Sequence, residues 1–403
     1  MISVADAQSR ILQSVATATP SEIVPLRAAL DRVLAAQVHA PFDVPPADNS
    51  AVDGYAVVDG DIPAAGVSDL AVVGDLPAGA VWSGALARGQ AVRIMTGAPL
   101  PAGAGTVYPQ EIAERTGDRV RLGPLPRGVN VRRRGEDVAG GAAVIEAGTV
   151  LRPQELGLAA SLGLCQLAVH AQPRVALLST GDEVAEPGTA RRAGQIYDSN
   201  RFALRGSVEQ CGGRALDLGI VPDRREELRA RLIEAADMAD LVITSGGVSV
   251  GAYDLVKEVL SEIGGIDFWQ VAMQPGRPMA VGRLAGAHFF GLPGNPVASL
   301  LTFLLFVRPC LYKLAGRRYL FPTLYPARAT EAMVKKPGRR EFKRGILTWR
   351  EGGWEVCTTG PQGSGILSSM VAGNCLVVLD EARGDVTAGE SVLVELLPGA
   401  WSA

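Results

Sequence analysis

This chain of 403 residues is poor in the residue types that most often announce chemistry. It has three histidines, His39, His170 and His288, far apart in sequence. That spacing argues against a histidine-based zinc site and against a Ser-His-Asp triad. Its five cysteines, Cys165, Cys211, Cys310, Cys357 and Cys375, include no C-x-x-C pair and sit mostly among apolar or small residues. They read as reduced structural thiols of a cytosolic protein. Aromatic residues make up 5%, so no stacking platform for single-stranded nucleic acid is visible. A strong charge of one sign is missing too: the formal net charge is −3, where a nucleic-acid binder needs a basic surface. Long hydrophobic runs are absent. The longest apolar stretch, Val297–Val307, is broken by Ser299 and Thr302 and closed by Arg308. It falls short of the about 20 residues that span a bilayer and reads as a buried helix, so no membrane partner is expected. The first residues, Met1-Ile2-Ser3-Val4-Ala5-Asp6, lack the charged and apolar regions of a signal peptide.

What is present fits a soluble multidomain enzyme. Apolar residues make up 47% and charged residues 20%, and 48 glycines with 26 prolines imply many turns. The length suggests about three domains. Residues 3–38 carry helical periodicity, with Ser3 or Asp6 placed to cap a first helix and Leu26–Val38 forming a second apolar run. Pro41-Phe42-Asp43-Val44-Pro45-Pro46 then breaks the pattern. Residues 55–137 show short alternations such as Tyr55–Val58 and Ala91–Ile94 between turn residues, the pattern of a small β-barrel or sandwich. Helical signal returns at 141–172, where Pro153 suits a first helical turn. The expected organisation is therefore a helical N-terminal domain (1–50 and 138–172) with an inserted β module (51–137). A central α/β domain (173–325) and a C-terminal β-barrel (326–403) follow.

The α/β domain is the informative part. Four apolar strands each run into a polar loop: Val175–Ser179 into Thr180-Gly181-Asp182-Glu183, Leu216–Val221 into Pro222-Asp223, Leu241–Thr244 into Ser245–Gly251, and His288–Leu292 into Pro293-Gly294-Asn295-Pro296. With helices between most of them, they predict a parallel sheet whose ligand site lies outside the carboxyl ends. In Ser245-Gly246-Gly247-Val248-Ser249-Val250-Gly251 the glycines permit successive N–H groups to face one anion, and the hydroxyls of Ser245 and Ser249 add donors. No Gly-Lys-Ser or Gly-Lys-Thr follows, so this is not a Walker loop. Alone, such a loop is more often an ordinary strand-to-helix turn.

Glu183, Asp223 and Asp254 stand at or just after these loops and form a candidate Mg²⁺ site. Asp223 and Asp254 also precede predicted helices, so helix capping is the competing role; for Asp182 capping is the better expectation. Asp48-Asn49-Ser50-Ala51-Val52-Asp53-Gly54-Tyr55, Met95-Thr96-Gly97-Ala98-Pro99 and Gly135-Glu136-Asp137 read alone as Asx-type turns. Arg132-Arg133-Arg134 reads as a solvated face, partly neutralised by Glu136 and Asp137. Gln274-Pro275-Gly276-Arg277-Pro278 is a rigid turn presenting Arg277. Arg344 and Ser364 are candidate oxyanion ligands that read alone as exposed strand or turn residues.

Taken together these stretches resemble the molybdopterin molybdenumtransferase family, the MoeA and gephyrin E-domain family. Pro41–Pro45, Asp48–Ala56, Arg93–Pro99, Gly135–Asp137, Ser179–Glu183, Gly194-Gln195-Ile196-Tyr197-Asp198-Ser199-Asn200, Ser245–Gly251 and Leu292–Val297 occur in family order across nearly the whole chain. Each is weak and their joint occurrence is specific. The resemblance implies a central molybdopterin-binding α/β domain in a four-domain homodimer. It also implies a reaction in which adenylylated molybdopterin and molybdate give AMP and molybdenum on the dithiolene, with Mg²⁺ as the divalent metal.

It further implies that Asp53, Thr96 and Asp137 approach from the partner subunit. Glu183, Asp223 and Asp254 would lie in the α/β domain and Arg344 and Ser364 in the C-terminal domain. By the same resemblance Ser245, Gly246, Gly247, Ser249, Gly251, Gln274, Arg277, Pro293, Gly294 and Asn295 would bind substrate, and an adenylyltransferase is a candidate partner. One departure stands out: the family often has lysine where this chain has Gln274. Competing functions are the adenylyltransferase that makes the substrate, disfavoured by the lack of a second α/β domain, and a pterin-binding scaffold, disfavoured by the intact acidic set.

Overall fold

A computed structural model describes residues 1–246 and 255–399. The chain divides into two compact units. One comprises Met1–Ala35, Gly148–Arg152 and Gln166–Ala403; the other comprises Ala36–Ala147 and Pro153–Cys165.

The N-terminal stretch corrects the expectation of a helical domain. Helix α1 (Val4–Ser14) forms, and Ser3 caps it by accepting the Asp6 N–H at 3.0 Å. Its apolar face, Val4, Ala7 and Ile11, joins a core with Phe303, Phe306 and Leu311. The second expected helix, Leu26–Val38, reduces to one 3₁₀ turn at Leu26–Ala28. Strand β1 (Ser21–Pro25) precedes that turn and pairs antiparallel with Gln166–His170. Three features override the helical periodicity: Pro20 and Pro25, the β-branched pair Ile23-Val24, and Asp31, whose φ of 61° lies in the left-handed region.

The unit containing Ala36–Ala147 is mostly strand. Strands β2 (Gly54–Val57), β3 (Ser68–Leu76), β4 (Gln90–Ile94), β5 (Thr106–Pro109), β6 (Glu114–Thr116) and β7 (Arg119–Leu122) make one sheet in the order β5-β2-β4-β3-β7-β6. Helix α2 (Pro153–Ser161) starts at Pro153, as expected.

The other unit holds the α/β domain. After β8 (Gln166–His170) come β9 (Arg174–Thr180), α3 (Asn200–Gln210), β10 (Arg214–Val221), α4 (Arg225–Met238), β11 (Leu241–Ser245) and α5 (Leu255–Ile263), then β12 (Gly264–Gln270), β13 (Pro278–Leu284) and β14 (Ala287–Leu292). The sheet order is β10-β9-β11-β14-β13-β12. The first four are the expected parallel strands; β9, β11 and β14 are buried on both faces as a covered parallel sheet requires, while β10, at the sheet edge, is mostly half-buried. Strands β12 and β13 extend the sheet antiparallel, and the turn Gln274–Arg277 lies between them. The chain leaves β9 toward β10 and then returns to β11 on its other side. That reversal makes a crevice at the carboxyl ends of β9 and β11.

Pro296–Leu314 is one apolar helix, α6, with a π turn at Phe303–Val307. It is long and apolar enough to cross a membrane by length and composition. The core covers it, with 83% of its most apolar window buried. It is the buried helix expected from Val297–Val307.

The C-terminal strands β15 (Leu324–Ala329), β16 (Arg340–Arg350), β17 (Gly353–Thr358), β18 (Cys375–Leu379) and β19 (Ser391–Leu396) pair in the order β16-β17-β15-β19-β18, and β18 pairs back onto β16. This closes a five-stranded barrel around Leu347, Val356, Val377 and Val394.

Candidate functional site

The crevice at the strand ends is tied together by short hydrogen bonds. The Gly246 N–H donates to the Leu292 carbonyl at 3.1 Å, joining the loops after β11 and β14. Asn200, at the start of α3, donates from Nδ2 to Ser245 Oγ at 2.8 Å and to the Gly294 carbonyl at 2.7 Å. Gly246 has φ +94°, and a Cβ there would lie 3.0 Å from the Thr180 carbonyl oxygen. Glycine therefore lets the loops after β9 and β11 approach closely. The hydroxyls of Ser179, Thr180 and Thr244 are buried at these strand ends without a hydrogen-bond partner. Ser245, Gly246, Gly294 and Asn200 are thus brought together. Gly247, Ser249, Gly251 and Asp254 lie outside the described residues.

Asn200 is held from behind. Arg201, only 4% exposed, meets Asp198 at 2.9 Å and also pairs with Asp217 and Glu186. One buried cation thereby fixes the start of α3, β10 and the segment after Glu183. Motif order pointed to this stretch, but nothing in its composition marked Arg201.

Of the expected metal carboxylates, Asp223 sits beside Asp182 and Glu183. The Asp223 N–H donates to Asp182 Oδ1 at 3.3 Å. Partial burial, then repulsion from Asp182 and Glu183, pushes the Asp223 carboxyl above the usual range. Asp223 does not cap α4; that position is Arg224, with no side-chain cap. Among the described residues no group of three His, Cys, Asp or Glu side chains is arranged to hold a metal. The clustered negative charge is nonetheless of the kind a hard cation relieves.

Beside the crevice is a cavity of about 320 Å³. Gln274, Arg277, Pro293, Gly294, Asn295 and Ser364 line it, all expected substrate residues, and Arg339 completes the polar wall. Among the described residues no carboxylate lines it. The Val297 N–H donates to the Ser364 carbonyl at 3.0 Å, which stitches the barrel loop to the start of α6. Ser364 is therefore not a free turn residue.

Arg344 is likewise no exposed strand residue; its exposure is 0%. Its Nε donates to Ser369 Oγ at 2.9 Å and its Nη2 to the Gly363 carbonyl at 3.0 Å, while Nη1 is buried without a partner. Burial holds this guanidinium's pKa below the usual value. Arg344 supports the loop that carries Ser364.

In the other unit, three expected segments meet. The Gly97 N–H donates to the Ser50 carbonyl and the Ala51 N–H to the Asn130 carbonyl. Asp53 Oδ1 accepts both the Thr96 N–H and its hydroxyl. The arginine run is neutralised mainly by Asp48 and Asp43, which pair with Arg133 and Arg134. Among the described residues the Glu136 carboxylate accepts only the Arg133 backbone N–H, and Asp137 is exposed with its N–H bonded to the Val44 carbonyl.

His288 stands at the opposite end of the sheet, in β14. Burial and Arg283 lower its pKa to about 4, so it is a neutral core histidine. The five cysteines are unpaired.

Three family models match successive stretches of the chain. They are the MoeA N-terminal region (domains I and II) at residues 2–163, a probable molybdopterin-binding domain at 176–313, and the MoeA C-terminal region (domain IV) at 326–397. The chain is 42% identical over 399 residues to a molybdopterin molybdenumtransferase of Haemophilus influenzae, covering 98% of each. It is 40% identical over 381 residues to molybdopterin molybdenumtransferase 2 of Mycobacterium tuberculosis, covering 92% of this chain and 94% of that one. A crystal structure of the molybdopterin biosynthesis MoeA protein from Pyrococcus horikoshii superposes with a TM-score of 0.87 at 30% identity, over 98% of this chain and 100% of that one.

Proposed function

The chain belongs to the molybdopterin molybdenumtransferase family, and from that membership we propose that it inserts molybdenum from molybdate into adenylylated molybdopterin with release of AMP. It is a transferase of molybdenum cofactor biosynthesis. The observation that carries the substrate assignment is the cavity lined by Arg277, Asn295 and Ser364, next to the strand-end crevice and without a carboxylate among the described residues. Molybdate is a tetrahedral dianion, suited to guanidinium, amide and hydroxyl donors. The phosphoanhydride of the adenylylated pterin suits the N–H groups and hydroxyls around Ser245 and Gly246. The dithiolene sulfurs belong to the substrate, so no protein thiol is required.

In this reading residues 173–325 form the pterin-binding domain and 326–403 the barrel domain that closes over the oxyanion. Glu183, Asp223 and Asp254 would hold Mg²⁺, which the like-charge strain on Asp223 supports. When bound, the cation would offset charge on the phosphate oxygens as the P–O bond breaks. The chain's own part is positional: Asn200 holds the crevice loops, and Arg344 holds the Ser364 loop. We further assign a homodimer in the cytoplasm, with Asp53, Thr96 and Asp137 completing the cleft from the second copy and an adenylyltransferase as the source of substrate.

The deciding experiment is AMP release by the purified chain from adenylylated molybdopterin, with molybdate and Mg²⁺ each withheld in turn. Release that depends on both is expected. A folded dimer that releases none would reject the assignment, and tight pterin binding without release would point to a scaffold instead.

A further inference from the structure

Arg201 is bonded in more directions than its charge requires. Its Nε donates to Asp198 Oδ2 at 2.9 Å, its Nη1 to Asp217 and its Nη2 to Glu186. The Arg201 backbone N–H donates to Asp198 Oδ1 at 3.0 Å, so Asp198 takes the capping role that the Ser199 side chain leaves unfilled at the start of α3. Three carboxylates around one buried cation exceed what neutralisation needs. The planar fork of arginine fixes direction as well as charge, which an ammonium does not.

Each bond ends on a segment that carries part of the site. Asp217 lies in β10, where the pairing with β9 slips: Leu177 stands opposite Asp217, but Ser179 stands opposite Ile220. Strand β10 thus holds one extra residue between those pairs. Gly219, with φ +77°, turns the chain there, and its N–H donates to Asp217 Oδ1 at 3.0 Å. This irregularity decides how far the end of β10, and with it Asp223, projects past β9. Glu186 follows closely on Glu183, and the intervening Val184–Ala185 pairs with Ile196–Tyr197, just before Asp198. Asp198 holds the start of α3, whose Asn200 ties Ser245 to Gly294. One side chain thereby joins the segments bearing Glu183 and Asp223 to the residue that holds the crevice loops.

On the reading that Glu183 and Asp223 hold Mg²⁺ and that the crevice takes the adenylylated pterin, we propose that Arg201 is a positioning residue that sets the separation between the cation and the pterin nucleotide's phosphates. The crowding of Asp223 against Asp182 and Glu183 suits a hard cation at one end of this frame. Arg201 touches neither ligand; it holds their carrier segments at a fixed spacing. Attraction between a cation and a phosphate falls with distance, so a loosened frame still binds each ligand but couples the two weakly.

The test uses the full chain and calorimetric titration of Mg²⁺ and of adenylylated molybdopterin, each alone and in the presence of the other, with molybdate left out so that no turnover occurs. In the unaltered chain each ligand should tighten the other by about tenfold, with the same factor in either order. Arg201→Lys keeps the charge and loses the fork. Its coupling factor should fall to about twofold, while each ligand alone keeps its affinity within about threefold. Glu186→Gln cuts only the half-exposed arm to the segment after Glu183. It should lower the coupling at least about threefold and leave the melting temperature within a few degrees, so the test holds even if Arg201→Lys fails to fold. A merely structural role would lower the melting temperature and leave the coupling factor unmoved. An unchanged coupling factor in Glu186→Gln, or in folded Arg201→Lys, overturns the role of Arg201, as does an unaltered chain that binds both ligands without coupling. In each of these cases the assigned function stands if AMP is released once molybdate is added. If the unaltered chain binds neither ligand and releases no AMP, the assignment and the inference fall together.

Discussion

Asp53 Oδ1 accepts two hydrogen bonds from the same residue, the backbone N–H and the hydroxyl of Thr96, each at 2.7 Å. Both fall on one oxygen, so the carboxylate is oriented while its second oxygen stays available to a ligand. The backbone bond first, then the hydroxyl, holds this carboxyl below the usual aspartate range. Thr96→Val removes only the hydroxyl. The Asp53 pKa should rise part of the way toward about 4, the unperturbed value. A depressed folded-state pKa contributes stability that is present above the unfolded value and lost as pH falls through the folded one. Thr96→Val should therefore lower stability slightly at neutral pH, and its difference from the native chain should close as pH falls below about 4. NMR titration of the Asp53 carboxyl carbon checks the shift, and an unmoved titration would show that the hydroxyl bond is idle in solution.

Asp223 has the opposite sign. Its folded-state pKa is raised, so the group favours folding most below its unfolded value, and that contribution disappears as pH rises through the folded pKa. At neutral pH the ionised side chain opposes folding through its partial burial and then its repulsion with Asp182 and Glu183. Asp223→Asn should raise the melting temperature by about 1–2 °C at pH 7 and lose that advantage at pH 4. Added Mg²⁺ should stabilise the native chain more than the variant, because the cation relieves the repulsion. Equal Mg²⁺ shifts in the two proteins would count against metal binding here.

Arg344 and Ser364 should separate in their effects. Arg344→Ala leaves the Gly363 carbonyl and Ser369 hydroxyl without their donor and opens a cavity in the barrel. A cost of about 2–4 kcal/mol is expected, read as a lower denaturant midpoint. Molybdate KM should rise as well, because the loop bearing Ser364 loses its support. Ser364→Ala should raise KM with little change in midpoint. If both variants unfold equally easily, the division between support and contact is wrong.

These contrasts also mark what could be read in advance. The four parallel strands and their loops were legible because a covered parallel strand is a short, wholly apolar run that ends in turn residues. Gln274, Arg277, Pro293, Gly294, Asn295 and Ser364 meet in one cavity, as motif order implied. The N-terminal segment was misread because Leu26–Val38 keeps helical spacing, while Pro25 and the left-handed Asp31 decide its backbone locally. The sheet extension β12–β13 and the place of Arg339 at the cavity wall were not visible. Each depends on a long-range pairing, Gly264 with Leu284 and Met273 with Arg340, that leaves no periodic mark on the chain. Arg201 was hidden for a similar reason: beside its neighbour Asp198, two of its three carboxylates, Glu186 and Asp217, come from other segments.

Gly246→Ala tests whether the crevice needs its close approach. The native φ of +94° is one that alanine adopts only with strain, and the new methyl would sit 3.0 Å from the Thr180 carbonyl oxygen. Backbone strain of this kind costs about 1–3 kcal/mol. The loop after β9 cannot yield freely, since β9 is paired on both sides, by β10 and β11. The loop after β11 should therefore move, breaking the 3.1 Å bond from the Gly246 N–H to the Leu292 carbonyl and shifting Ser245 away from Asn200. Binding of the adenylylated pterin should fall by at least tenfold, with the melting temperature lowered by only a few degrees. Molybdate binding in the neighbouring cavity should survive, because Arg277, Arg339 and Ser364 do not depend on that bond. Isothermal titration with each substrate separates the two. Parallel loss of both affinities would mean that crevice and cavity form a single site that cannot be disturbed in halves.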